Sequence, residues 1–72
     1  MPKCNNQVKK LRIQTQLSQN KLAHKAGLDS GTYRKAEHGK ESVSEMTIER
    51  ITAAFKSLLK IEIASASLIA DD

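Results

Sequence analysis

The stretch from Leu17 to Glu37, LSQNKLAHKAGLDSGTYRKAE, restricts the fold of this chain more than any other segment. Leu22, Ala23 and Ala26 share one helical stripe, and Ala23 is small enough to let another helix cross at close range. Gly27 follows where a helix commonly ends in the left-handed conformation, which glycine reaches without steric cost. Leu28 can fold back onto the stripe, and Asp29 is a good N-cap for a helix beginning at Ser30. Tyr33 and Ala36 mark the inward face of that helix, leaving Ser30, Gly31, Arg34 and Lys35 outward. The pattern predicts two short helices joined by a tight turn.

The flanks predict more helix. Asn5 or Asn6 can cap an earlier helix carrying Val8, Leu11 and Ile13, which ends near Thr15 to Leu17, and Ser18 can cap the helix that follows. His38-Gly39 signals a helix end, Glu41 to Ser44 reads as a loop, and Ser44 opens a fourth helix with Ile48, Ile51 and Phe55 in period. From Leu59 to Ile63 apolar and charged residues alternate, the period of a strand. A single strand needs a partner, and the same strand of a second copy would supply one across a two-fold axis. The competing expectation is a fifth helix over 56–68. The fold class expected is all-α, a compact bundle of four to five helices, with a short C-terminal strand pairing across a dimer as its optional addition. One domain spans 1–72, with a core at 6–56 and a dimerisation segment at 57–69 in which Leu58, Leu59, Ile61 and Ile63 meet the second copy.

Charge is divided unevenly. Residues 1–40 hold nine Lys/Arg against Asp29 and Glu37, a balance of 9 − 2 = +7, whereas residues 41–72 hold three against six, 3 − 6 = −3. The first part suits a polyanion, and a helix-turn-helix unit is built to place its second helix in the major groove of DNA. The acidic part would be repelled by phosphates and reads as a solvated or protein-facing end. Cys4 is the only cysteine, so no intramolecular disulfide can form, and a reducing cytoplasm is the expected location. No apolar run has the roughly 18 residues of a membrane span, and Met1 to Lys10 has no signal-peptide core.

Residues 8–56 resemble the Cro/C1-type helix-turn-helix family of small repressor-like domains. Val8, Leu11, Arg12, the run from Leu17 to Leu28, and then Thr32, Tyr33, Glu37, Gly39 and Lys40 carry the resemblance. It implies a repressor-like bundle acting as a homodimer on a near-palindromic duplex. Lys56, Ser57, Leu58 and the alternation through Ile63 resemble, more weakly, the ends of persistence-type antitoxins, whose strand joins the partner subunit's.

Positions matching the family's base readers are Ser30, Gly31, Thr32 and Lys35, with Arg34 at the flank. Lys35 could donate to guanine, and the Thr32 methyl could meet a thymine methyl. Gly31 departs from the longer polar residues common there; either its backbone lies close to DNA, or the chain reads few bases directly and leans on DNA shape, or the glycine is first-turn slack. By resemblance, Arg12, Gln19 and Lys40 contact the DNA backbone; Ser18, at a helix start that favours phosphate, and Ser42 are expected to add to them, with Lys9, Lys10 and Lys21 as diffuse additions. By resemblance, Arg12 and Glu37 bridge the first helix to the end of the third. Tyr33 and Phe55 read as core, not as stacking platforms.

His24, His38 and Cys4, the last in an unstructured end, have no metal-ligand spacing, and no phosphate loop, HExxH or nucleophile elbow is present. No metal, cofactor, small-molecule ligand, catalytic residue or membrane partner is expected. The function expected is a sequence-specific double-stranded DNA-binding transcriptional regulator acting as a dimeric repressor; the alternative is an antitoxin that binds a toxin protein and autoregulates its operon.

Overall fold

A computed structural model describes residues 2–70. Four α-helices, α1 (Gln7–Thr15), α2 (Gln19–Ala26), α3 (Ser30–His38) and α4 (Glu45–Leu59), are followed by one 3₁₀ turn, Ser65–Leu68. Three helix starts are fixed by side-chain caps. Ser18 Oγ accepts from the Lys21 N–H, Asp29 Oδ2 from the Thr32 N–H and Ser44 Oγ from the Thr47 N–H, each satisfying a first-turn donor that has no partner within the helix. At α1 the acceptor is Asn5, whose Oδ1 takes the Gln7 N–H at 2.9 Å, while Asn6 makes no side-chain cap.

Val8, Leu22, Tyr33, Ile48, Ile51, Phe55 and Leu68 form the fully buried centre. Every helix contributes to it, α2 and α3 also pack on each other, and Ala23, Ala26 and Ala36 are buried on these two helices. Ile13 does not take part and is 58 % exposed. It lies five residues beyond Val8, about 140° around the helix, so the inward position on the next turn belongs to Arg12 instead.

The tail corrects the expectation of a fifth helix, and no strand forms there within the single chain. Helix α4 ends at Leu59 because Lys60 turns left-handed (φ 54°), so no fifth helix spans 56–68. Residues 60–64 lie outside any ladder, and no strand exists among the described residues. Alternation from Leu59 to Ile63 does not give five extended residues, since Leu59 still belongs to α4 and Lys60 is left-handed. The C-terminus finds its partner in the same chain. The Ala70 N–H donates to Lys3 O and the Asn5 N–H to Leu68 O, both at 2.8 Å, around one antiparallel bridge between Cys4 and Ile69. Leu58, Leu59 and Ile63 are half-buried against this chain's own core, and Ile61 is half-buried outside it. Cys4 is buried at 3 % exposure, not in a loose end, and burial raises its thiol pKa. Among the described residues, no helix is long and apolar enough to cross a membrane.

Candidate nucleic-acid interface

The outward face of α3 combines short residues in front with cations behind. Gly31, Arg34 and Lys35 are exposed, while Ser30 and Thr32 are half-buried. The Thr32 hydroxyl donates to Asp29 Oδ1 at 2.6 Å while its N–H caps on Oδ2. Thr32 therefore spends its proton inside the protein and keeps a methyl and acceptor lone pairs to show outward. Those bonds, the hydroxyl first, hold the Asp29 carboxyl below its ordinary pKa, so it stays charged at the front of the helix.

Nothing inside the chain requires glycine at 31. A Cβ built there meets only Asp29 Oδ2, at 3.4 Å, an ordinary contact. Gly31→Ala is therefore expected to stabilise the free protein by about 0.5 kcal/mol, the helical preference for alanine. A thermal melt checks this, and a lowered melting temperature would contradict it.

Lys9, Gln19, Arg34, Lys35, His38 and Lys40 line one open hollow between α1, the start of α2 and α3, with Glu37 and Glu41 also on its wall. The folded chain thus brings together Gln19, Arg34, Lys35 and Lys40 from the sequence candidates. Lys9, which the sequence left among diffuse lysines, joins them, as does His38, read there only as a helix end. Ser30, Gly31 and Thr32 lie outside the hollow on the first turn of α3; Ser18 and Ser42 are exposed but do not line it. Lys35 Nζ stands 4.0 Å from Glu41 Oε2 with both side chains mostly exposed, a contact weak enough to yield to a competing anion.

Beneath the hollow, Glu37 gathers donors from three helices. Arg12 Nε from α1 donates to Oε1 at 2.5 Å, Gln19 Nε2 from α2 to Oε2 at 2.5 Å, and the Tyr33 hydroxyl from α3 to Oε1 at 3.0 Å. Arg12 Nη1 also donates to Leu17 O, tying α1 to the residue just before α2. Burial pushes the Glu37 carboxyl pKa up, but hydrogen bonds from Arg12, Gln19 and Tyr33 outweigh it and the net shift is downward. Its hydrogen bond with Glu37 raises the Arg12 pKa, and burial followed by the Glu37 charge raises that of Tyr33. The network aims the start of α2 at the hollow. Sequence reading placed Tyr33 in the core and missed its hydroxyl's task, although Tyr33 and Glu37 stand four apart on one helix face.

A depressed carboxyl pKa sets a pH dependence. Glu37 contributes stability that is fully present above its unfolded value, near 4.5, and is lost as pH falls through the lower folded value. Urea midpoints should therefore drop below pH 4.5 more steeply for the parent than for Glu37→Gln. Parallel pH profiles would count against the network.

A family model described as helix-turn-helix matches residues 8–60, well over half of the chain. No curated protein and no solved structure gave a significant match.

Proposed function

This chain belongs to the helix-turn-helix family of Cro/C1-type DNA-binding regulators, and from that premise we propose that it is a dimeric repressor reading a near-palindromic duplex. The observation that carries this reading is the hollow in which Gln19, at the start of α2, meets Lys9, Arg34, Lys35 and Lys40. Four cations, from α1, α3 and the loop after α3, converge there beside the start of α2. In this reading Ser30, Gly31, Thr32, Arg34 and Lys35 face base edges. Ser18, Gln19, Lys40 and Ser42 hold phosphates, and Arg12 adds a contact through the guanidinium nitrogen not engaged with Glu37 or Leu17.

Two copies would place their α3 helices about 34 Å apart, one turn of duplex. Residues 61–63 support pairing, since they lie outside every element and make no backbone hydrogen bond among the described residues. Selection from random duplexes, with light scattering for the oligomer, tests the proposal. Absence of any salt-dependent preference for duplex over bulk competitor would overturn it.

Two substitutions separate the roles. Lys35→Ala should weaken the selected site about tenfold and relax one base position, whereas Lys40→Ala should weaken all duplexes alike and reduce the salt slope by about one. Identical base preferences for the parent and Lys35→Ala would remove Lys35 from the reading set.

The −3 balance of residues 41–72 favours a second reading, an antitoxin whose tail holds a toxin protein. Co-purification with the product of a neighbouring gene would support it, and its absence would count against it.

A further inference from the structure

The arm that precedes α1 is bonded on two sides. Towards the tail, the Ala70 N–H donates to Lys3 O and the Asn5 N–H to Leu68 O, while Asn5 Nδ2 donates to Ser67 O at 2.9 Å and to Ile69 O at 3.3 Å. Towards the loop between α3 and α4, the Val43 N–H donates to Pro2 O at 2.8 Å. Cys4 O also lies so close to Gly39 that a Cβ there would come within 2.7 Å of it. The arm is thus a middle layer between the tail and the loop 39–43, and that loop carries Lys40 and Ser42. Past the helix-end bond of Gly39 to Lys35 O, the loop's backbone donates, among the described residues, only through Val43, and it donates to the arm.

We infer that Asn5 is a positioning residue for the DNA interface: by tying the tail to the arm it fixes the loop 39–43, and with it Lys40 and Ser42, none of which it touches. The inference rests on the DNA-binding reading above. Asn5 suits the task because its two ends act on different partners. Its Oδ1 accepts from the Gln7 N–H to start α1, and its Nδ2 spans the two tail carbonyls. With the arm released, the Val43 N–H loses its acceptor, and a lysine on a freed loop must be ordered before it can hold a phosphate. It follows that a partner capturing residues 67–70 would loosen the grip on DNA from the far end of the chain.

Asn5→Asp separates the two ends, since it keeps an oxygen for the Gln7 N–H and removes the donors to Ser67 and Ile69. Helix content should be retained while the Val43 amide exchanges about tenfold faster. Duplex affinity should fall about tenfold, with a salt slope shallower by about one. Lys40→Ala, costly in the parent, should cost little in the Asn5→Asp background, because both remove the same contact. Unchanged Val43 exchange, or an equal cost of Lys40→Ala in the two backgrounds, overturns the inference.

Ile69→Cys provides a second route should Asn5→Asp fail to fold. An antiparallel bridge spaces its Cα atoms at about 4.5–5.5 Å, which suits a disulfide to Cys4. The oxidised form should slow Val43 exchange relative to the reduced form, and in the double variant it should restore affinity. No difference between oxidised and reduced forms overturns the inference. The exchange readout needs no DNA, so a parent chain that binds no duplex would refute the proposed function while leaving this coupling testable.

Discussion

Glu37→Ala should lower the stability of this domain by about 3 kcal/mol, the cost of removing one member of a partly buried ion pair. The carboxylate accepts from Arg12, Gln19 and Tyr33 at once, so its removal strands three donors contributed by three helices. The Arg12 side chain is only 17 % exposed and the Tyr33 ring is fully buried, so water reaches neither freely. For a chain of this size, total stability is roughly 4–11 kcal/mol, and the loss would be a large share of it. Tyr33→Phe, which removes a single donor and leaves the carboxylate satisfied by the other two, should cost only about 1 kcal/mol. Replacing both Arg12 and Glu37 by apolar residues should recover much of the loss, because the penalty lies in the unpaired charge and not in the absent pair. Urea unfolding with an unchanged m-value measures all three. A Glu37→Ala protein within about 0.5 kcal/mol of the parent would mean that the three donors find other partners at little cost.

What the sequence makes legible follows from how local the signal is. The boundaries of α2 and α3 each carry their own chemistry, Ser18 and Asp29 as caps and Gly27 and Gly39 as left-handed ends, so the unit can be read from neighbouring residues alone. Arg12 and Glu37 lie 25 residues apart, and no helical period points from one to the other; only the family resemblance did. The tail was illegible for a related reason. Period-two alternation at Leu59 to Ile63 suggests an extended backbone that Leu59 and Lys60 do not adopt, and the groups that satisfy the end of the chain come from Lys3 and Asn5, as many as 64 residues away for one Asn5 bond. Cys4 was misplaced by the same blindness, since nothing near it announces that Ile69 returns to cover it. Of the residues lining the hollow, Lys9 gave only a weak signal because a lysine on a helix surface is ordinary, and its proximity to Lys40 exists only after the bundle closes.

Gly39→Ala should cost about 3 kcal/mol, and the comparison with Gly27→Ala shows where that figure originates. Both glycines end a helix in the left-handed region, with φ of 77° and 75°, so alanine incurs the same conformational cost of about 1 kcal/mol at either site. Their surroundings differ. At Gly27 the added Cβ meets the tip of the Arg50 side chain at 2.9 Å, and that exposed arginine can swing into solvent. At Gly39 the Cβ meets the carbonyl oxygen of Cys4 at 2.7 Å. This oxygen belongs to backbone that is held by the Asn5 and Ala70 bonds on one flank and by the Val43 bond on the other. Relief requires moving the arm, which strains those bonds and the burial of Cys4 together, and overpacking of this kind adds about 2 kcal/mol. Denaturant midpoints of the two variants should therefore separate clearly, with Gly27→Ala about 1 kcal/mol less stable than the parent and Gly39→Ala about 3 kcal/mol less stable. Equal losses at both positions would mean that the arm yields without resistance, and the loop carrying Lys40 would then have no firm seat for the tail to control.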